Sequence, residues 1–321
     1  MTTLKDVAAR AGVSIATASY VLNGTKPTGA EVTRRVKQAA RDLGYRPNRA
    51  ARALKTGSSL VIGLTVPDLQ NPFFPKMVQA AERRARELGY GLALVDVAED
   101  PRIEREALEQ FAEQGVAAVI ATSLLSPLPG SLPYPVIALD TPIVGVDSIY
   151  ADHRTGGSLA AQQAVALGHT RIGLLSGPQH IQSARLRRQG TLEGLGGLAE
   201  VVWESEVPFN LELPSSAIAL LEARQVSMII TGSDVIAVGA LHALQEAGVN
   251  VPGDVSLIGF DDIAWASLMR PRLSTIRQPI VEMGTRAVDL ALRRLKGPDS
   301  AITHEMLSVE WIPRESSAQV R

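Results

Sequence analysis

The side chains best equipped for chemistry in this sequence are the basic and hydroxyl-bearing ones of its first 59 residues. Lys5, Arg10, Lys26, Arg34, Arg35, Lys37, Arg41, Arg46, Arg49, Arg52 and Lys55 stand there against three acids, Asp6, Glu31 and Asp42. This segment is therefore +8 in a chain of net charge −1, and the other 262 residues carry −9. Cationic side chains neutralise phosphates. A basic segment on an acidic body is the footprint of a nucleic-acid-binding module joined to something with another task. Catalysis has less to stand on. The chain has no cysteine, which removes a thiol nucleophile, disulfides and thiolate-bound metal, and fits a cytosolic protein. The five histidines (153, 169, 180, 242 and 304) show no metal-ligand spacing. His169, beside Gly168, reads as a cation at a helix C-terminus. Gly194-Leu195-Gly196-Gly197-Leu198-Ala199 matches the letters of a dinucleotide fingerprint, but no strand precedes it. There is no Walker loop and no Gly-x-Ser-x-Gly elbow. Neither an enzyme nor a bound metal or cofactor is expected.

The elements that position the basic segment are short helices. Thr3 can cap a first helix, with Asp6 three residues on, and Leu4, Val7, Ala8 and Ala11 recur at helical spacing. Gly12 breaks it. Ser14 opens a second helix, Ile15 to Asn23, with Ala18, Val21 and Leu22 turned inward. Thr28 and Glu31 suggest a capping box for a third helix carrying Val32, Val36, Ala39, Ala40 and Leu43 inward to Gly44. Two helices joined by a tight turn within 22 residues match a helix-turn-helix. The second helix of such a motif lies in the major groove with its N-terminal residues at base edges. Those are Ile15, Ala16, Ser19 and Tyr20; the first two make no side-chain hydrogen bonds and would read thymine methyls or shape. Ser14, Thr17 and Asn23 are placed for phosphates, and Lys26 adds a charge nearby.

Here the resemblance is to the LacI/GalR family of regulators. It rests on Leu4-Lys5-Asp6-Val7-Ala8, Ala11-Gly12-Val13-Ser14, Thr17-Ala18-Ser19, Val21-Leu22-Asn23-Gly24 and Gly44-Tyr45-Arg46-Pro47-Asn48. Tyr20 departs from the Arg or His that many members carry. The resemblance implies that residues 1–46 are a DNA-binding headpiece. It also implies that 47–59, including Asn48 and Arg49, form a hinge that becomes helical on the operator. Leu54, with Lys55 beside it, would wedge into the minor groove; an apolar wedge between base steps kinks the duplex at a cost of a few kcal/mol. Packing within a linker is the alternative role for Leu54.

From residue 60 to 321 the pattern becomes strands alternating with helices: Leu60–Val66, Leu92–Val97, Ala117–Thr122, Val136–Asp140, Ile172–Ser176, Met228–Thr231 and Val255–Phe260 as strands, with helices between. Such alternation means parallel doubly wound α/β sheets. Two halves of this kind fit a periplasmic-binding-protein-like domain of two lobes, with a ligand in the cleft at the carboxyl ends of the strands. The resemblance extends here through Asn71-Pro72-Phe73-Phe74, Ser183-Ala184-Arg185-Leu186-Arg187, Ile258-Gly259-Phe260-Asp261-Asp262 and Trp311-Ile312-Pro313-Arg314-Glu315-Ser316. It implies a small-molecule effector, most often a sugar. By motif position Arg187 and Asp261 would clamp hydroxyls and Phe73 and Phe74 supply apolar contact, with Asp140 and Asp152 as further candidates. Ser233-Asp234 stands where the family usually has Asn-Asp, and the usual cleft aromatic is either Trp203 or Phe209. A structural salt bridge for Arg187 and a place in the core for Phe73 and Phe74 are the alternatives.

The expectation is therefore a cytoplasmic, sugar-controlled regulator that binds a palindromic operator as a homodimer. No apolar run approaches the ~18–20 residues that span a bilayer, and the N-terminus shows no signal peptide. A transport solute-binding protein would reverse both the missing signal and the basic headpiece. No leucine heptads close the chain, which favours a dimer over a coiled-coil tetramer.

Overall fold

The computed structural model describes residues 2–23, 26–45, 59–122, 124, 128, 130 and 132–320, excepting the side chain of Asn23. Asn48, Arg49, Leu54 and Lys55 lie outside the described residues. The chain divides into two compact units, residues 1–59 and 60–321.

Among its described residues the small unit has three helices: α1 (Leu4–Ala11), α2 (Ile15–Asn23) and α3 (Ala30–Asp42). Thr3 and Asp6 form a reciprocal capping box at the start of α1, and Gly12 (φ 63°) ends it in the left-handed conformation. The Ser14 Oγ accepts from the Thr17 amide at 3.1 Å and so caps α2. The start of α3 differs from the capping box expected at Thr28 and Glu31. Its cap is Gly29, without a side-chain bond, and the Thr28 hydroxyl pairs with that of Thr33 at 2.9 Å. Val7, Ala8, Ala11, Ala18, Val21, Val36, Ala39 and Ala40 form the core. Five of these eight are alanines, so short helices approach closely without large side chains.

The large unit holds twelve strands in two six-stranded sheets. The first is built from β1 (Val61–Val66), β2 (Gly91–Asp96), β3 (Ala118–Thr122), β4 (Val136–Leu139), β5 (Asp147–Ala151) and β11 (His304–Leu307), with α4 (Phe73–Glu87) and α5 (Pro101–Glu113). The second holds β6 (Arg171–Ser176), β7 (Glu200–Glu206), β8 (Met228–Thr231), β9 (Ser256–Asp261), β10 (Ser274–Arg277) and β12 (Glu310–Ile312). Its helices include α6 (His153–Ala166), α7 (Gln182–Leu195), α8 (Ser215–Glu222) and α9 (Asp234–Glu246), and α10 (Ile280–Lys296) returns the chain to the first sheet. The orders are β11-β5-β4-β3-β1-β2 and β12-β10-β9-β8-β6-β7, so each lobe repeats the same doubly wound arrangement. All pairings are parallel except β10 with β12. The chain crosses between sheets three times, after β5, β10 and β11.

Apolar runs with little alternation become strands buried on both faces. Ile62–Val66 are buried throughout, as are Ser256–Asp261. Trp203 lies inside the second lobe, where Gly173 makes room: a Cβ there would sit 2.2 Å from the indole. His169 is also internal. Its ring bridges Ser227 Oγ and the Ala318 carbonyl, both at 2.9 Å, and burial pushes its pKa down. This corrects the reading of His169 as a helix-terminal cation.

Candidate functional site

The carboxyl ends of β1, β2 and β4 face those of β6 to β9 across a cavity of about 300 Å³. Phe73, Phe74, Asp140, Arg187, Ser233 and Asp261 all line it, brought together from positions up to 188 apart in sequence. Asp152 and Asp234 do not. The Asp152 side chain accepts from the Thr155 amide at 3.0 Å and caps α6. Asp234 lies behind the cavity wall, fully buried, accepting from Thr275 Oγ1 at 2.6 Å and from the Ile263 amide at 2.9 Å. Gly259 leaves the space it fills, since a Cβ there would lie 2.2 Å from Asp234 Oδ1.

Arg187 is the centre of the site. It projects from the second turn of α7 and is 94% removed from solvent (6% exposed). Its Nη1 donates to the Gly232 carbonyl at 2.7 Å and lies 3.3 Å from Asp261 Oδ1. Its Nε donates to His153 Nδ1 at 3.3 Å. The guanidinium stacks 4.1 Å from the centroid of Phe260 and 5.9 Å from that of Phe209. Because an Arg nitrogen only donates, His153 Nδ1 accepts, and Nε2 carries the proton toward the Asp140 carbonyl at 2.9 Å. Arg187 Nη2 takes no part in these contacts. His153 therefore ties the end of β4 in one lobe to α7 in the other.

Two of the cavity carboxylates share an unusual backbone. Asp140 (φ 78°) and Asp261 (φ 123°) both sit at positive φ where a strand ends. Non-glycine residues rarely hold such angles, and they concentrate where a side chain must be aimed. Burial opposes the charge on Asp140, but His153, Arg187 and Ser183 outweigh it and hold the carboxyl below the usual carboxylate range. At Asp261 burial wins: the carboxyl is pushed up to about 6 against Arg187 and Gln278, whose Nε2 donates to Oδ1 at 2.7 Å. Burial, with Asp261 close by, pushes Asp234 well above the usual range.

Phe73 and Phe74 meet edge to face, centroids 5.1 Å apart, and belong both to the core of the first lobe and to the cavity wall. Phe209 also lines the cavity, so of the two aromatics it is the one at the site. Sequence reading assigned no role to Asp68, Asn71, Glu99, His153, His180 or Ser183. Asn71 and Ser183 sit inside motifs quoted above, which was signal enough to find them. The others occupy loops or a helix start without periodicity. Among the described residues, no three His, Asp or Glu side chains come together as metal ligands.

On the headpiece, Ser14, Ile15 and Ala16 are exposed at the start of α2, while Thr17, Ser19 and Tyr20 are half-buried. Lys26 Nζ lies 4.9 Å from the centroid of Tyr20. A polar and a methyl-bearing face thus stand side by side at one helix end, the combination that meets a backbone phosphate and a base edge together.

A tri-helical headpiece with an exposed second helix, and a two-lobed body with one polar–aromatic cleft, define a ligand-responsive DNA-binding regulator. Residues 3–48 match the family described as bacterial regulatory proteins, lacI family, and residues 161–317 match the periplasmic binding protein-like domain. The ribose operon repressor of Bacillus subtilis (strain 168) is 35% identical over 330 residues, covering 99% of both chains. The HTH-type transcriptional regulator GalR of Escherichia coli (strain K12) is 35% identical over 91% of this chain and 89% of its own. Among solved structures, the lac repressor dimer bound to operator and the anti-inducer ONPF superposes with a TM-score of 0.84 at 28% identity, over 99% of each chain. A LacI family regulator from Enterococcus faecium with bound ribose gives 0.73 at 26% identity, over 81% of this chain and 100% of that one. The chain belongs to the LacI family. It is a DNA-binding transcription regulator and not an enzyme. Among the described residues no helix is long and apolar enough to cross a membrane.

Proposed function

We propose that this chain is a cytoplasmic repressor that binds a palindromic operator as a homodimer and is controlled by a sugar in the interlobe cavity. Residues 1–46 read the operator, 47–59 connect, and 60–321 bind the sugar and the second protomer. The observation that carries this is the cavity itself: Arg187 and Asp261 from one lobe and Asp140 from the other stand beside Phe73, Phe74 and Phe209. A sugar presents hydroxyls to charged donors and acceptors and an apolar C–H face to aromatic rings. The relatives named for ribose and galactose operons and the ribose-bound neighbour support that class of ligand.

In this reading Ser14, Thr17, Asn23 and Lys26 hold phosphates, Ile15, Ala16, Ser19 and Tyr20 meet base edges, and Leu54 opens the central step, with Asn48, Arg49 and Lys55 on the backbone around it. Sugar binding favours one closure of the two lobes and so shifts operator affinity, by no more than the sugar's difference in affinity for the two states.

Selection from random double-stranded DNA by the purified protein, repeated with a panel of sugars, tests the proposal. The expected result is an enriched palindrome with a pyrimidine–purine step at its centre, lost or strengthened by one sugar. No enrichment under any condition overturns the operator reading, and enrichment indifferent to every sugar overturns the effector reading.

A further inference from the structure

We infer that the effector is an uncharged polyhydroxy compound and that the cleft rejects phosphorylated and carboxylated sugars. The inference rests on the sugar reading above and narrows it. Four carboxylates line the cavity, Asp68, Glu99, Asp140 and Asp261, against one guanidinium and the imidazole of His180. Most of that guanidinium is engaged by the protein: Nη1 of Arg187 faces Asp261 and the Gly232 carbonyl and Nε faces His153, which leaves only Nη2 to meet a ligand.

The helix N-termini, which elsewhere cradle phosphate, each already meet a polar atom of the protein. At α4 the Phe73 amide donates to Asn71 Oδ1 at 3.1 Å. At α9 the Ile236 amide donates to Ser233 Oγ at 3.3 Å. At α7 the anion is the protein's own, because the Asp140 carboxylate accepts from Ser183 in the first turn. A ligand phosphate would have to displace Asp140 to take that place.

The approach repeats the pattern. A second cavity of about 620 Å³ shares Asp68, Asn71, Glu99 and Phe209 with the first and adds Asp96 and Glu212, and no Lys, Arg or His lines it. The two acids common to both cavities repel each other: partial desolvation of the carboxyl, and then Asp68, push Glu99 above its usual range, against an opposite pull from His180. A phosphate monoester carries roughly −1.5 to −2 at neutral pH, so each step inward sets like charge against like, while hydroxyl groups meet acceptors in need of donors.

Calorimetric titration of the full-length protein with D-ribose and D-galactose, each beside its phosphate monoester, tests this. At least one free sugar should bind about 100-fold more tightly than its phosphate at low salt, and the gap should narrow in high salt. In the Asp68→Asn, Glu99→Gln double variant the ratio should shrink about tenfold, whatever the absolute affinities do. Asp68 is half-buried and Glu99 exposed, so the variant folds. Equal or tighter binding of a phosphate overturns the inference and leaves the sugar reading standing. A ratio unmoved by the double variant also overturns it. Binding of neither the sugars nor their phosphates removes the sugar reading and this inference together.

Discussion

The carbonyl oxygen of Arg187 occupies the place where a side chain on Gly157 would be, 2.0 Å from an ideal Cβ. The contact is reciprocal, since a Cβ on Gly190 would lie 1.9 Å from the Arg154 carbonyl. α6 and α7 thus touch backbone to backbone directly behind the residue at the centre of the cleft. Gly to Ala inside a helix ordinarily stabilises by up to about 1 kcal/mol. Here the obstructing atom is backbone and cannot swing aside, so overpacking of about 2 kcal/mol or more outweighs that gain. Gly157→Ala should lower the midpoint of urea unfolding and, by displacing α7, abolish the effector response. A variant at least as stable as the parent would show that the helices separate freely and that Arg187 does not depend on their contact.

With a sugar on Asp261, as proposed, effector binding should depend on pH. Its carboxyl is fully buried and raised to about 6, with burial the leading cause. Arg187, Gln278, Asp140, His153 and Asp234 are the groups around it. The sign follows from the raised value. Below pH 4 the carboxyl is protonated folded or unfolded and contributes nothing. As pH rises from about 4 to about 6 the unfolded chain releases the proton and the folded one keeps it, so stability falls, by on the order of 3 kcal/mol for a group held this far from its unfolded value. Binding runs the other way. A sugar hydroxyl that donates to Asp261 favours the carboxylate, so affinity should be full above pH 6.5 and weaken by up to about tenfold per pH unit below 6. Calorimetry at pH 6 in two buffers of different ionisation heat should show proton release on binding. An affinity flat from pH 5 to 7.5 would mean that the sugar does not contact Asp261.

Asp234 makes a sharper test of the same electrostatics. Burial and Asp261 push its carboxyl well above the usual range, which favours the protonated form. A protonated Asp presents one O–H donor and a carbonyl acceptor; the amide of Asn presents a carbonyl acceptor and an NH2 group with two donors, one of which can take the place of the O–H. In Asp234→Asn, Nδ2 can donate to Thr275 Oγ1 while Oδ1 accepts from the Ile263 amide, in place of the bonds Asp234 makes now. Thermal unfolding at pH 7 should change by less than about 1 kcal/mol, where breaking a charged buried network costs about 3–5. A loss of that larger size would show that Asp234 is ionised.

The elements easiest to read in the sequence were those with a local cause. Thr3, Ser14 and Gly12 act within three or four residues of themselves, and the all-apolar strands announce their own burial. β5 was missed because its leading residue is a buried acid. Asp147 is paid for by Arg294, 147 positions away, at 2.6 and 2.9 Å, and by the Thr303 amide. The short strands β10, β11 and β12 depend likewise on partners across the sheets. In the cleft, Arg187 and Asp261 were legible from motifs. His153 was not: nothing around it in the chain marks burial between a carbonyl 13 residues back and a guanidinium 34 residues on. The resemblance puts Asp234 at the ligand because Ser233-Asp234 stands where the family has Asn-Asp, yet one residue of helix start separates Ser233 on the cavity from Asp234 behind it.

In the proposed operator complex the headpiece separates positioning from reading within two adjacent residues. Ser14 Oγ accepts from the Thr17 amide and lies 2.9 Å from Thr17 Oγ1, so it caps α2, and the proposed phosphate contact would use the same hydroxyl. Ser14→Ala should cost the headpiece about 1 kcal/mol of stability. It should weaken binding to every DNA sequence by a similar factor and reduce the slope of log affinity against log salt, because a phosphate contact carries no base identity. Ile15, half exposed at 51%, has only methyl and methylene groups to offer. Ile15→Ala should leave the salt slope unchanged and relax preference at one base pair of each half-site, by about 1–3 kcal/mol between the favoured base and the others. Repeating the selection experiment with both variants reads the two effects apart. A Ser14→Ala profile altered at a single position, or an Ile15→Ala profile weakened evenly, would exchange the roles of the two residues and turn α2 about its axis in the groove.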